Sequence, residues 1–452
     1  MSARTGRSSW WLRGFTALAL GAAALAAAAG PASASAAPAT GTAADGHSLP
    51  STSRFFVPRP DSGAISQILQ LAKSGDLKDA ALLAKMAATP QAVWFTSGTP
   101  AQVQQQARTT MAEAALEGAV PVLVAYDVPG RDCAQYSAGG ALDEADYESW
   151  IDGLAAGIGH GRAVVILEPD ALGNLPSDCG LPTSVYPFTD AERLAEIGYA
   201  VTALEQDPNT SVYLDGTHSA WQSVGTMTQR LLEAGVQGAQ GFFLNVSNYQ
   251  PTPELADYGT WISDCLAMVT DPANPDYGQP ANCASQYYPA TQSDFSTWGL
   301  TTAWYAQNMD GAVASTHFVV DTSRNGSGPN SMQTYAAAPY NQPASVISTL
   351  ASGNWCNPPD SGLGLRPTAH TGVPLLDAYL WVKIPGESDG QCDAAGGVRA
   401  WDYSAYTQPS WPTDAADQAL FDPLWGLNDP AAGSWFPQQA LQLAQEANPA
   451  LF

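Results

Sequence analysis

Carboxylates recur in this chain at one kind of place, the end of a short apolar run. Tyr126 and Asp127 end the run Pro121–Val128. Glu168 and Asp170 follow Ala163–Glu168, and Asp215 closes Ser211–Asp215. Asn245 and Asn248 follow Gly241–Val246, and Asp321 closes His317–Asp321. Lys383 and Glu387 come at the end of Ala378–Ile384. Carboxyl groups held close together can divide the roles of general acid and base. Other chemistries lack their residues: there is no P-loop, C-x-x-C or H-E-x-x-H. No metal or cofactor is therefore expected. The chain carries 14 Trp and 17 Tyr, many beside loop signals. Aromatic rings stack on the C–H faces of sugars, and paired carboxylates hydrolyse glycosides. The plain alternative for any single Asp is that it caps the next helix.

Lys383 stands apart by composition. The chain has four Lys, and Lys73, Lys78 and Lys85 lie together on a surface-helix pattern. A lone ammonium at the end of a buried strand needs a partner. Glu387, four residues on, and sugar hydroxyls are the candidates.

The apolar runs, together with Ala92–Phe95, read as seven strands buried on both faces of a parallel sheet. Amphipathic stretches lie between them. Asp143–Gly159 places Tyr147, Trp150, Ile151, Leu154 and Ile158 at helical spacing, and Ala191–Gln206 does so with Leu194, Ile197, Val201 and Leu204. The alternation implies an α/β fold, as a barrel or an open doubly wound sheet. In such folds ligands bind at the carboxyl ends of the strands, where the polar groups gather. Gly157-Ile158-Gly159-His160-Gly161 has the look of a dinucleotide loop but lies between a helix and the next strand, so it reads as a helix-terminating turn.

Two segments are specific: Val124-Ala125-Tyr126-Asp127-Val128-Pro129-Gly130-Arg131-Asp132-Cys133 and Val165-Ile166-Leu167-Glu168-Pro169-Asp170. They resemble the two signatures of glycoside hydrolase family 6, the inverting cellulases. The resemblance continues through Tyr213–Trp221, Asn245–Tyr249, Asp321–Gly326, Trp355-Cys356 and Leu380–Gly390. It implies a distorted seven-stranded parallel β/α barrel with long active-site loops. It also implies hydrolysis of β-1,4-glucosidic bonds in cellulose and cello-oligosaccharides. Under it, Asp170 is the general acid. Asp132 raises its pKa or helps activate water, Asp389 is the proposed base, and Asp215 supports the site. Tyr126 crowds the distorted sugar ring. Trp94, Trp221 and Trp355 are sugar platforms, with His218, Asn248, Lys383 and Glu387 as polar partners. In this family long loops roof the cleft and go with attack at chain ends, whereas open clefts go with internal cutting. Ser263–Ser293, Pro329–Ser352 and Asp393–Ser434 are long. The last holds Trp401, Tyr403, Tyr406, Trp411 and Trp425, which are expected to contact glucan. The expectation is a cellobiohydrolase, with an endoglucanase as the alternative and a non-catalytic glycan-binding protein as a distant one.

The ends and the charge complete the reading. Arg4, Arg7 and Arg13 precede the apolar run Phe15–Ala29, and Pro31–Ala36 offers an A-x-A cleavage site. Residues 1–36 thus read as a signal peptide, 37–53 as a flexible lead-in and 54–452 as one catalytic domain of a secreted, monomeric protein. The net charge of −25 argues against nucleic acid and anionic membranes. Six cysteines in an exported chain favour three disulfides. Of 15 possible connectivities, sequential pairing closes the smallest loops: Cys133 with Cys179, Cys265 with Cys283, Cys356 with Cys392.

Overall fold

The computed structural model describes residues 49–452; the expected signal peptide and most of the lead-in lie outside the described residues. Seven strands appear: β1 Val93–Phe95, β2 Val122–Ala125, β3 Ala163–Leu167, β4 Thr210–Asp215, β5 Gly241–Leu244, β6 His317–Asp321 and β7 Leu376–Leu380. They pair in parallel, in sequence order, as one sheet. Helices fill most of the crossovers, among them Glu144–Ile158 and Asp190–Leu204. Each starts where its cap residue dictates. Asp143 accepts the Asp146 amide, and Thr189 and Glu192 form a reciprocal capping box. The glycine turn after the first helix has Gly159 at φ 60°, so it is a helix end.

Alternation along the strands separates two apolar layers. Val122, Val124, Val164, Ile166, Tyr213, Phe243, Val319, Ala378 and Leu380 share the inner cluster. Leu123, Val165, Leu167, Val212, Leu214, Phe242 and Phe318 pack outward with helical residues such as Trp150, Ile197 and Trp261. The sheet curls into a half-barrel. Between β1 and β7 there is no ladder. Instead the Ala92 amide donates to the Trp381 carbonyl at 2.9 Å, and the Trp94 indole donates to the Val382 carbonyl at 2.8 Å.

Several strands end earlier than their apolar runs. The cause is visible in the hydrogen bonds: carboxylates take over the backbone where the ladder stops. Glu168 accepts from the Asp127 and Val128 amides, and Asp321 from those of Val382 and Lys383. Asn245 turns into the left-handed region, at φ 68°, and ends β5.

The three long loops carry more structure than expected. Ser263–Thr270 is the end of the helix Thr252–Thr270, and Ala344–Ser352 is itself a helix. The aromatics of Asp393–Ser434 do not reach toward a ligand cleft. Trp401 packs edge-on against Tyr335, Tyr340 and Trp411 with centroids 5.7–6.0 Å apart. Tyr406 joins them, and Trp425 packs on Phe436. This satellite core holds Met332, Tyr335, Val346, Ile347 and Leu350, so the third loop buttresses the second. Burial of the rings against each other outweighs their exposure as a platform.

Candidate active site

A cavity of about 640 Å³ opens at the carboxyl ends of the strands. Trp94, Tyr126, Asp132, Asp170, His218, Trp221, Asn248, Trp355, Lys383 and Asp389 all line it. These come from nearly every strand end, which is why residues almost 300 positions apart in sequence share one space. Asp215 and Glu387 do not line it. Gln292 enters from the first long loop, and Pro329, Ala351 and Ser352 from the second. No residue of Asp393–Ser434 lines it.

The carboxylates divide into clamps and cavity groups. Asp215 is a clamp: buried, it accepts from the amides of Leu172 at 3.2 Å, Gly173 at 2.9 Å and Thr217 at 2.8 Å. It thereby fixes the turn immediately after Asp170. Burial lifts its pKa to about 6, against the pull of those amides.

Asp170 sits at φ 67°, two residues after Glu168 at φ 53°, so the backbone is strained on both sides of Pro169. Among the described residues no hydrogen-bond donor reaches its carboxyl. Burial, then the charges of Asp215, Asp132 and Asp389, push its pKa well above the carboxylate range. Asp132 lies in a second strained stretch, with Asp132, Cys133 and Ala134 all at φ 46–60°. The Ser137 amide donates to its Oδ2 at 2.6 Å, and burial raises it to about 6.

Asp389 is the opposite case. Burial pushes its pKa up, but Arg324 and Lys383 overcome this and hold it below the usual range. Its Oδ2 accepts from Arg324 Nη1 at 2.9 Å, the Tyr249 hydroxyl at 3.0 Å and the Asn357 amide at 3.0 Å. Lys383 Nζ stands 3.5 Å from Oδ1 and donates to the Ser388 carbonyl. The lone buried lysine therefore pairs with Asp389. Glu387 is half-buried outside the cavity, and burial raises it to about 7. Arg324, Tyr249 and Asn357 were not among the expected site residues. Arg324 carried a signal, a cation just after a buried strand, and Tyr249 lay in a segment already singled out.

Rings form the walls. Trp94 meets Tyr126 edge-on at 5.5 Å, and Trp221 lies 5.6 Å from His218. A side chain at Gly173 would come within 2.6 Å of Trp221, so only glycine leaves room for that ring. His218 is held neutral, its pKa lowered to about 3 by burial, and its Nδ1 accepts the Ala220 amide. That leaves Nε2 as the proton-bearing nitrogen.

All three disulfides pair sequentially. Cys133–Cys179 ties the Asp132 turn to the segment after Asp170. Cys356–Cys392 ties Trp355 to the Asp389 segment. Two of the three thus brace the walls directly.

The comparisons bear on this arrangement. The chain is 34% identical over 349 residues to Endoglucanase A of Cellulomonas fimi, covering 76% of this chain and 60% of that protein. It is 31% identical to the probable 1,4-beta-D-glucan cellobiohydrolase C of Aspergillus niger, covering 72% and 61%. It thus spans about 60% of the length of these two relatives. Among solved structures it resembles the endoglucanase Cel6 of Mycobacterium tuberculosis, held in complex with methyl-cellobiosyl-4-deoxy-4-thio-β-D-cellobioside. That identity is 31% and the TM-score 0.58, with 89% of this chain and 99% of the other covered. Residues 50–447 match the family described as Glycosyl hydrolases family 6, and the chain belongs to that family.

Proposed function

We propose that the chain hydrolyses β-1,4-glucosidic bonds of cellulose with inversion at the anomeric carbon, chiefly releasing cellobiose from chain ends. The observation that carries this reading is Asp170. It is a cavity carboxyl with no donor to its anion among the described residues and with three acidic neighbours. It therefore holds its proton more tightly than an ordinary carboxyl and gives it to the leaving oxygen. Asp389 remains an anion, balancing the positive charge that develops on the sugar ring. With its oxygens taken up by Arg324, Tyr249, Asn357 and Lys383, it is a weak proton acceptor. Asp132, anionic near neutral pH but more basic, is the better acceptor. It takes the proton of the attacking water through a second water molecule. The Tyr126 phenol keeps its proton, because burial and then Asp132 and Asp170 oppose ionisation, and it presses on the ring at the reacting subsite. Trp94, Trp221 and Trp355 stack on sugar faces, while His218 and Asn248 meet hydroxyls.

Attack at chain ends is supported by the rims that the first two long loops give the cavity. A second reading, internal cutting, is favoured by the absence of Asp393–Ser434 from the cavity wall. The disulfides fit an oxidising compartment and so a secreted protein. Among the described residues no helix is long and apolar enough to cross a membrane.

The test is Asp170→Ala on two substrates. Turnover of cellohexaose should fall about 10²–10⁴-fold, the usual worth of a general acid. An aryl cellobioside, whose leaving group needs little protonation, should lose far less. Equal losses on both would remove Asp170 from the acid role.

A further inference from the structure

We infer that Tyr287 and Tyr288 form a binding surface for β-1,4-glucan outside the cavity, continuing the wall beyond Trp221 for chains too long to fit inside. This rests on the substrate class proposed above.

The first observation is compositional. The 17 residues 277–293 contain no charged side chain, in a protein where 13% of residues are charged. They carry three tyrosines and the amides Gln279, Asn282, Gln286 and Gln292. Rings and amides without charge suit an uncharged polyhydroxyl chain, whereas an ionic ligand would need a partner charge.

The second is exposure on a fixed backbone. Tyr288 is 78% exposed and Tyr287 46%. Exposed rings on a wandering loop would mean little, but this tip is pinned. Ser285 and Tyr288 exchange both backbone hydrogen bonds, at 2.7 and 3.3 Å. Thr301 Oγ1 holds the Ser285 carbonyl at 2.8 Å, and Cys265–Cys283 anchors the segment two residues earlier. Rings held in place before binding lose little freedom on contact.

The third is continuity with the site. The Tyr287 hydroxyl donates to the Trp221 carbonyl at 2.9 Å, and Gln286 Nε2 donates to the Gln222 carbonyl at 2.8 Å. Gln292, from the same segment, lines the cavity. The tip is thus built onto the wall that holds Trp221, which places the two tyrosines beside the backbone of that ring. Exposed aromatic surface rimmed by polar groups marks an interaction site.

The test uses the full chain and changes only the outer ring. Tyr288→Ala should leave turnover of an aryl cellobioside within twofold of the parent. Its adsorption to insoluble cellulose should weaken about three- to tenfold, the worth of one aromatic contact. Tyr288→Phe keeps the ring and should adsorb like the parent. Unchanged adsorption by Tyr288→Ala would overturn the inference. So would loss of a dimer in sedimentation by that variant, since a second copy would then cover the surface. A parent protein that neither adsorbs to nor cleaves any β-1,4-glucan would instead refute the proposed substrate, whatever Tyr288 does.

Discussion

At the scale of single residues, the proposed mechanism asks one carboxyl to hold its proton and another to stay ionised in one cavity. The difference comes from donors: Asp170 has none among the described residues, whereas Asp389 has four partners. One of these, Asn357, links Asp389 to the third loop. Its side-chain amide donates to Asp429 Oδ2 at 2.9 Å and to Ser388 Oγ at 2.9 Å, and its Oδ1 accepts the Asp389 amide at 2.8 Å. Asp429 is raised to about 9, first by burial and then by Asp422, whose carboxylate pairs with Arg399 at 3.0 Å. A protonated Asp429 can therefore hold Asn357 without adding charge. Asp429→Ala should lower kcat on cellohexaose about tenfold by letting Asp389 shift, given the steep cost of small misplacements. Asp429→Asn, neutral and of the same shape, should restore most of it, and parallel kinetics on the two variants would check this. Asp170 could be singled out in the sequence because it lies just past an apolar run, and Asp132 and Asp389 because they stand in the motifs that carry the family resemblance. That Asn357, Arg324 and Tyr249 converge on Asp389 could not be read there, because they lie 32, 65 and 140 residues from it. Pairing Lys383 with Glu387 rested on their closeness in sequence. Residues 383–387 leave the sheet as a loop, and the ammonium turns to Asp389 instead.

At the scale of elements, the strands were legible because parallel strands buried on both faces are plain apolar runs. Their ends were overextended, since Trp381 and Val382 stay buried after the ladder has stopped. Hydropathy cannot report that Asp321 has taken over the backbone. The third loop was misread for a related reason: Trp401 and Trp411 look alike in sequence whether they face sugar or each other. As a buttress, Trp401 supports the rim that contributes Pro329, Ala351 and Ser352. Trp401→Ala should cost about 2–3 kcal/mol of stability, as a large ring removed from a partly buried cluster. It should also loosen that rim. Activity on carboxymethylcellulose should then rise relative to cellobiose release from solid cellulose. An unchanged ratio in the folded variant would favour internal cutting.

At the scale of the whole molecule, an acidic chain folds around carboxylates that it must partly keep neutral. Asp132 and Asp215 are raised to about 6, and Asp127 and Glu387 to about 7. Each binds its proton more tightly folded than unfolded. Their contribution to stability is thus complete below the ordinary carboxylate range and is lost as pH rises through about 6 to 7. Asp389 works in the other sense, but its contribution fades only below that range. Calorimetry should therefore give a lower Tm at pH 8 than at pH 5; a Tm that rises over this interval would contradict the burial of these groups. The central claim, inversion driven by Asp170 with water as the nucleophile, is tested most directly by the first product formed. Proton NMR of cellohexaose cleavage, recorded before mutarotation, should show the new reducing end appearing as the α-anomer. A β-anomer as the first product would contradict it.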